Sequence, residues 1–144
     1  MDSLARTVSD ATRFRVHKAS DLLKIVGGVL RGELLRVDGR FDAAARAFEE
    51  AERVEHGLMY DEPEPLPFKV ADYLGALRLE QGHPEEAVRV YEAALVARPN
   101  NGWSLVGLQR ALRESGRVEA ADDAHERYVR TWARADGPLA TSRF

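Results

Sequence analysis

Three glycines frame this chain. Gly39, Gly82 and Gly116 each close a helix-like run, and each is followed five residues on by an alanine: Ala44, Ala87 or Ala121. Four residues later stands Phe48, Tyr91 or His125, and then Ala51, Ala94 or Tyr128. Glycine ends a helix at low cost because it accepts left-handed backbone. Small alanines let two helices approach closely, and a ring fills the space between them. The pattern therefore predicts helix–turn–helix units in the segments 32–51, 75–101 and 109–129. Pro84 suits a helix start, with Glu85 and Glu86 favoured in the first turn by the helix dipole. Pro99 and Asn100-Asn101-Gly102 stop that helix and permit the next. Gln109 stands in the third unit where Gly32 and Gly75 stand in the others. No stretch alternates with period two, so no sheet is predicted.

The glycines are 43 and then 34 residues apart. A 34-residue period is that of the tetratricopeptide repeat. Leu74-Gly75, Gly82, Ala87, Tyr91, Ala94 and Pro99 follow that family's order and spacing. The chain thus resembles a tetratricopeptide repeat protein over roughly residues 24–133, with Arg31 in place of leucine in the first repeat. The resemblance implies an all-α, right-handed α-solenoid of about three helix–turn–helix repeats, six helices with the first one long. One domain is expected over 1–144, with repeats near 24–56, 68–101 and 102–133, an irregular loop at 57–67 and a tail at 136–144. Helices are expected near 10–37, 41–55, 68–81, 84–97, 102–115 and 117–135. Gly27-Gly28 within the first implies close helix packing or a kink. MYDEP, the run from Arg98 to Arg117 and Ser142-Arg143-Phe144 are similar to the C-terminal part of longer bacterial members of the family. The chain then reads as a short relative or a piece of a longer one.

Composition narrows the function classes. Cysteine is absent, which removes disulfides, thiolate metal sites and a cysteine nucleophile. The balance of 21 basic against 24 acidic residues argues against nucleic acid or an anionic membrane as partner. Without an apolar run long enough to span a bilayer or a signal-like start, a cytoplasmic protein is expected. Neither HExxH nor GxSxG occurs, and Glu33-Leu34 replaces the Lys-Ser/Thr of a phosphate loop after Gly27 and Gly32. The four histidines are scattered: His125 is read as packed in the core, His83 as capping a turn, and His56 as near Asp61 and Glu62. No catalytic residue, metal ligand or cofactor is predicted, and the chain is not read as an enzyme.

In the family the first helix of each repeat lines a concave groove. Carried over by position, the groove candidates are Glu33 and Arg36 in the first repeat, Lys69 and Asp72 in the second, and Trp103, Arg110 and Arg113 in the third. Val26, Val29, Val37, Ala76, Leu79, Glu80, Val106 and Glu114 accompany them. Arginine and tryptophan are residue types that anchor interfaces. Some relatives clamp a peptide's terminal carboxylate with a lysine and an asparagine where this chain has Asp72 and Ala76, so that clamp is not expected. The resemblance implies a scaffold binding a peptide, a helix or another subunit in this groove.

Two further readings remain open. Pro63, Pro65 and Pro67 force the loop to be non-helical, and Asp61, Glu62 and Glu64 make it acidic. Either it bridges a gap, with Leu58, Met59 and Tyr60 covering the core edge, or Tyr60, Asp61 and Glu62 (within 56–64) join groove arginines in binding a small ligand. The first helix carries Leu22, Leu23, Ile25, Val26, Val29, Leu30, Leu34 and Leu35, apolar on more than one face. It is expected to bury a second face against the preceding residues or against another copy, making a homo-oligomer. The basic run Arg13–Lys18 reads as a solvated helix face, with contact to an acidic partner as the alternative.

Overall fold

The computed structural model describes residues 8–9 and 11–143. Among them the chain forms a two-residue-per-strand hairpin, β1 (Arg13–Phe14) and β2 (His17–Lys18), then six helices. These are α1 (Ala19–Val37), α2 (Phe41–His56), α3 (Val70–Glu80), α4 (Pro84–Ala97), α5 (Gly102–Glu114) and α6 (Val118–Thr131). The fold is an all-α helical repeat. It divides into two compact units, one running to Val70 and the other from Ala71.

The three turns are built alike. Gly39, Gly82 and Gly116 have φ of 73°, 76° and 79°. In each, the glycine N–H donates three residues back, to Arg36, Leu79 or Arg113. The next residue, Arg40, His83 or Arg117, donates to Leu35, Arg78 or Leu112. This pair of bonds is a Schellman closure, and it needs a left-handed residue at that point. His83 sits at the start of α4 with no side-chain cap; its backbone carbonyl accepts from Glu86 and Ala87.

In the first unit α1 packs on α2 through small residues. A side chain at Gly28 would meet Ala51, and one at Gly32 would meet the Phe48 ring, which is fully buried. Burying such a ring contributes about 1.5–3 kcal/mol, so glycine is retained here despite its low helix propensity. In the second unit Tyr91 of α4 passes between Gly75 of α3 and Gly107 of α5 and is also fully buried. The core continues through Val88, Leu95, Leu105, Leu108, Leu112, Ala121, Ala124 and Tyr128.

Three expectations are corrected. The first helix begins at Ala19, not near residue 10, because the hairpin precedes it. Residues 13–18 are therefore strand and turn, too short to show a periodicity, rather than a helix face. His125 is exposed instead of packed. Phe48 and Tyr91 lie against glycines, whereas His125 faces Gln109, whose Oε1 lies 3.3 Å from His125 Nδ1. With a side chain in the slot that glycine leaves empty elsewhere, the imidazole stays outside and Tyr128 takes the core position.

Candidate functional site

In the second unit α3 and α5 lie side by side, tied at one end by a polar network. Asn101 Oδ1 caps α5 by accepting from the Trp103 N–H, and its amide donates to Asp72 Oδ2 at 3.1 Å and Ser104 Oγ at 2.8 Å. Ser104 Oγ donates to Asp72 Oδ1 at 2.6 Å. Asp72, placed on the groove by position, is thus buried and its carboxylate is engaged by α5. Buried polar groups that are fully bonded hold one arrangement of their elements.

Beside this network is a cavity of about 150 Å³. Ala76, Leu79 and Glu80 of α3 and Val106, Gly107 and Arg110 of α5 line it, as do residues 140–143. The residues after α6 turn back onto these helices. The Leu139 N–H donates to Tyr128 Oη at 2.8 Å, and Leu139 packs on the core. Ser142 is 4% exposed. Its hydroxyl donates to the Asp72 carbonyl at 3.0 Å, so its 2.6 Å bond with Tyr91 Oη is one it accepts. Arg143 Nη1 lies 3.3 Å from Glu80 Oε2. Burial pushes the Tyr91 hydroxyl's pKa well above its ordinary value, so it stays a neutral donor at any ordinary pH. The segment 136–143 is irregular, as a tail is, but its second half is packed.

The other groove candidates have these surroundings. Arg110 donates to Glu114 at 2.7 Å on the exposed side of the cavity, while Arg113 donates across to Asp122 of α6 at 2.6 Å. The Trp103 ring meets Trp132 edge-on at 6.1 Å, and Trp132 stacks on Tyr128. In the first unit Arg36 pairs with Glu33 at 3.2 Å, and Lys69 reaches Glu55 at 3.6 Å and also Glu64.

The acidic loop is held by the hairpin. Arg15 donates to Asp61 Oδ1 at 2.6 Å, to the Pro63 carbonyl at 2.6 Å and to the Glu62 carbonyl at 2.9 Å. His17 Nε2 lies 3.1 Å from Asp61 Oδ2. Tyr60 Oη donates to Glu62 at 2.6 Å. Arg15 has φ 57°, a conformation that costs a non-glycine residue about 1–2 kcal/mol. Its three bonds to the loop offset that strain. Met59 and Tyr60 are 67% and 75% exposed and do not cover the core edge, because Asp61 turns inward to the hairpin and they turn outward. Ser20 Oγ is buried and makes no hydrogen bond among the described residues. Among the described residues no cluster of three acids or histidines is arranged to hold a metal ion. No helix there is long and apolar enough to cross a membrane.

Repeat position nominates Asp72, Arg110 and Glu80 for this face, but Asp72 is buried there rather than open to a groove, because Asn101 and Ser104 take up its carboxylate. The contribution of Ser142 and Arg143 was missed, and Leu139 after Pro138 is the sequence signal that those residues return to the core. The tetratricopeptide repeat family model matches residues 74–102, from α3 through α4 to the start of α5. No curated protein matches the chain.

Proposed function

Residues 74–102 are a tetratricopeptide repeat, in general a protein-interaction module and typically not an enzyme, and from that premise we propose that this chain binds peptides on the α3–α5 face. The observation that carries the reading is the seating of residues 139–143 there. An irregular stretch of chain finds hydrogen bonds, an ionic partner and apolar contact on that face. The exposed Arg110–Glu114 pair is worth only about 0–1 kcal/mol, so Arg110 exchanges it readily for a ligand's carboxylate or carbonyl. The test is a displayed peptide library panned on the full chain. Enriched peptides should bind about tenfold more weakly to Arg110→Glu, as expected when a charged interface contact of 1.4 kcal/mol is lost. Arg113→Ala, whose guanidinium turns to α6, serves as the control. Failure to enrich any sequence, or equal loss in both variants, would refute the reading.

A second reading, self-association through α1, is favoured by a specific observation. Val26, Leu30, Leu34 and Val37 are 37%, 47%, 60% and 73% exposed and fall at helical spacing on one stripe. Light scattering at high concentration should report a dimer or larger species that Leu30→Glu with Leu34→Glu dissolves. A monomer throughout sinks this reading without touching the first.

A further inference from the structure

Tyr91 belongs to α4, behind the α3–α5 face, yet its hydroxyl reaches that face. It does so because Gly75 and Gly107 are both without side chains at the level of its ring. The two glycines form a window, and the phenol supplies a buried donor at its mouth. The Asp72 carbonyl supplies an acceptor beside it. A group that fills this position must accept from the phenol and donate to the carbonyl at once, in a space that leaves its residue 4% exposed. A serine hydroxyl meets both demands. Alanine would leave the buried Tyr91 hydroxyl without this partner and remove the side-chain donor to the Asp72 carbonyl, and an unpaired buried hydroxyl is far more costly than a missing bond in water. One residue further on, Glu80 presents a carboxylate to Arg143, and small residues, Ala140 and Thr141, precede along the cavity.

Building on the peptide-binding reading above, we propose that this face selects short irregular peptides carrying a small residue, then serine, then a basic residue. Residues 139–143 are its tethered occupant, and an incoming peptide of the same chemistry displaces them. Only residues 132–138 join the occupant to α6, so its effective concentration is on the order of millimolar. A free peptide is disfavoured by the fraction of chains whose face is already filled.

The probe is a labelled, amidated peptide copying residues 137–143, titrated into the full chain and its variants by fluorescence anisotropy. Ser142→Asp with Arg143→Glu removes the hydroxyl and sets an acid against Glu80, which ejects the chain's own segment. The peptide should bind this opened chain about tenfold or more tighter than the unsubstituted one. Adding Glu80→Arg should abolish that gain, and a peptide with alanine at the serine position should not bind. If the double variant loses its cooperative unfolding, Arg143→Glu alone, which leaves the serine bonds intact, should still tighten binding about threefold. Equal affinity for opened and unsubstituted chains, or no binding to the opened chain, overturns the proposal. Library peptides that still depend on Arg110 would then leave the broader peptide-binding reading standing.

Discussion

Gly75→Ala sets two known effects against each other. Alanine in a helix interior is favoured over glycine by about 1 kcal/mol. Against this, the new methyl would lie 2.6 Å from Tyr91 Cε1, well inside an ordinary van der Waals contact. The ring has nowhere to go. A methyl position on Gly107 is 2.6 Å from Tyr91 Oη on the other side, and the hydroxyl is held by Ser142. Overpacking of a fixed core group typically costs about 1–3 kcal/mol, and a contact this short against a fully buried ring belongs at the upper end. The net expectation is a loss of about 1–2 kcal/mol. In a Tyr91→Leu background, which lacks Cε1, Cζ and Oη, the same substitution should change sign and stabilise by up to about 1 kcal/mol. The assay is urea unfolding followed by tryptophan fluorescence, because both tryptophans, Trp103 and Trp132, lie in the second unit and report on it alone. Gly75→Ala at or above the stability of the unsubstituted chain would refute the window, and so would an effect of equal size in the Tyr91→Leu background.

Three further outcomes are expected. Burial raises the Glu55 carboxyl above its ordinary 4.5, against the opposing pull of Lys69 and the Val70 N–H. A raised folded-state value means the folded chain binds the proton more tightly. That contribution is full below 4.5 and is lost as pH rises through the folded value. Glu55→Gln, measured by denaturation and circular dichroism, should therefore gain on the unsubstituted chain as pH rises across that window; parallel profiles would contradict it. Arg15→Ala keeps the left-handed strain and removes the three bonds to the loop, so protease should cut residues 57–67 faster and stability should fall by about 1–2 kcal/mol. Unchanged cleavage would show the hairpin does not restrain the loop. Gly82→Ala should cost about 1 kcal/mol and Gly82→Asn less, although both have open space, because φ at 82 is 76° and asparagine tolerates that region. Equal effects would argue against the Schellman closure.

The repeat was legible because its signals are local. A glycine that must be left-handed, alanines at close approach and a proline at a helix start follow from a few neighbouring residues. The helix ends accordingly lie close to expectation from α2 onward, except that α6 stops at Thr131 instead of near 135. The site was less legible. Asp72, Arg110 and Glu80 follow from repeat position, but Ser142 is 70 residues from the carbonyl it bonds, and no local pattern encodes that distance. Arg13–Lys18 failed for the same reason. A strand of two residues is too short for any periodicity, and it exists because Arg15 and His17 find Asp61, 46 and 44 residues away.

Sequence alone determined the unit of construction: helix pairs closed by left-handed glycines, with room for a ring where a second glycine allows it. Gln109 already carried the reason that the third unit differs, since any side chain there occupies the slot. Tertiary structure decided which remote residues meet. Only packing could bring the Tyr91 hydroxyl through a two-glycine window, hold Asp72 under α5 and seat Ser142 over both. Each of those contacts joins residues remote in the chain, and their energies depend on burial that exists only once the helices have met.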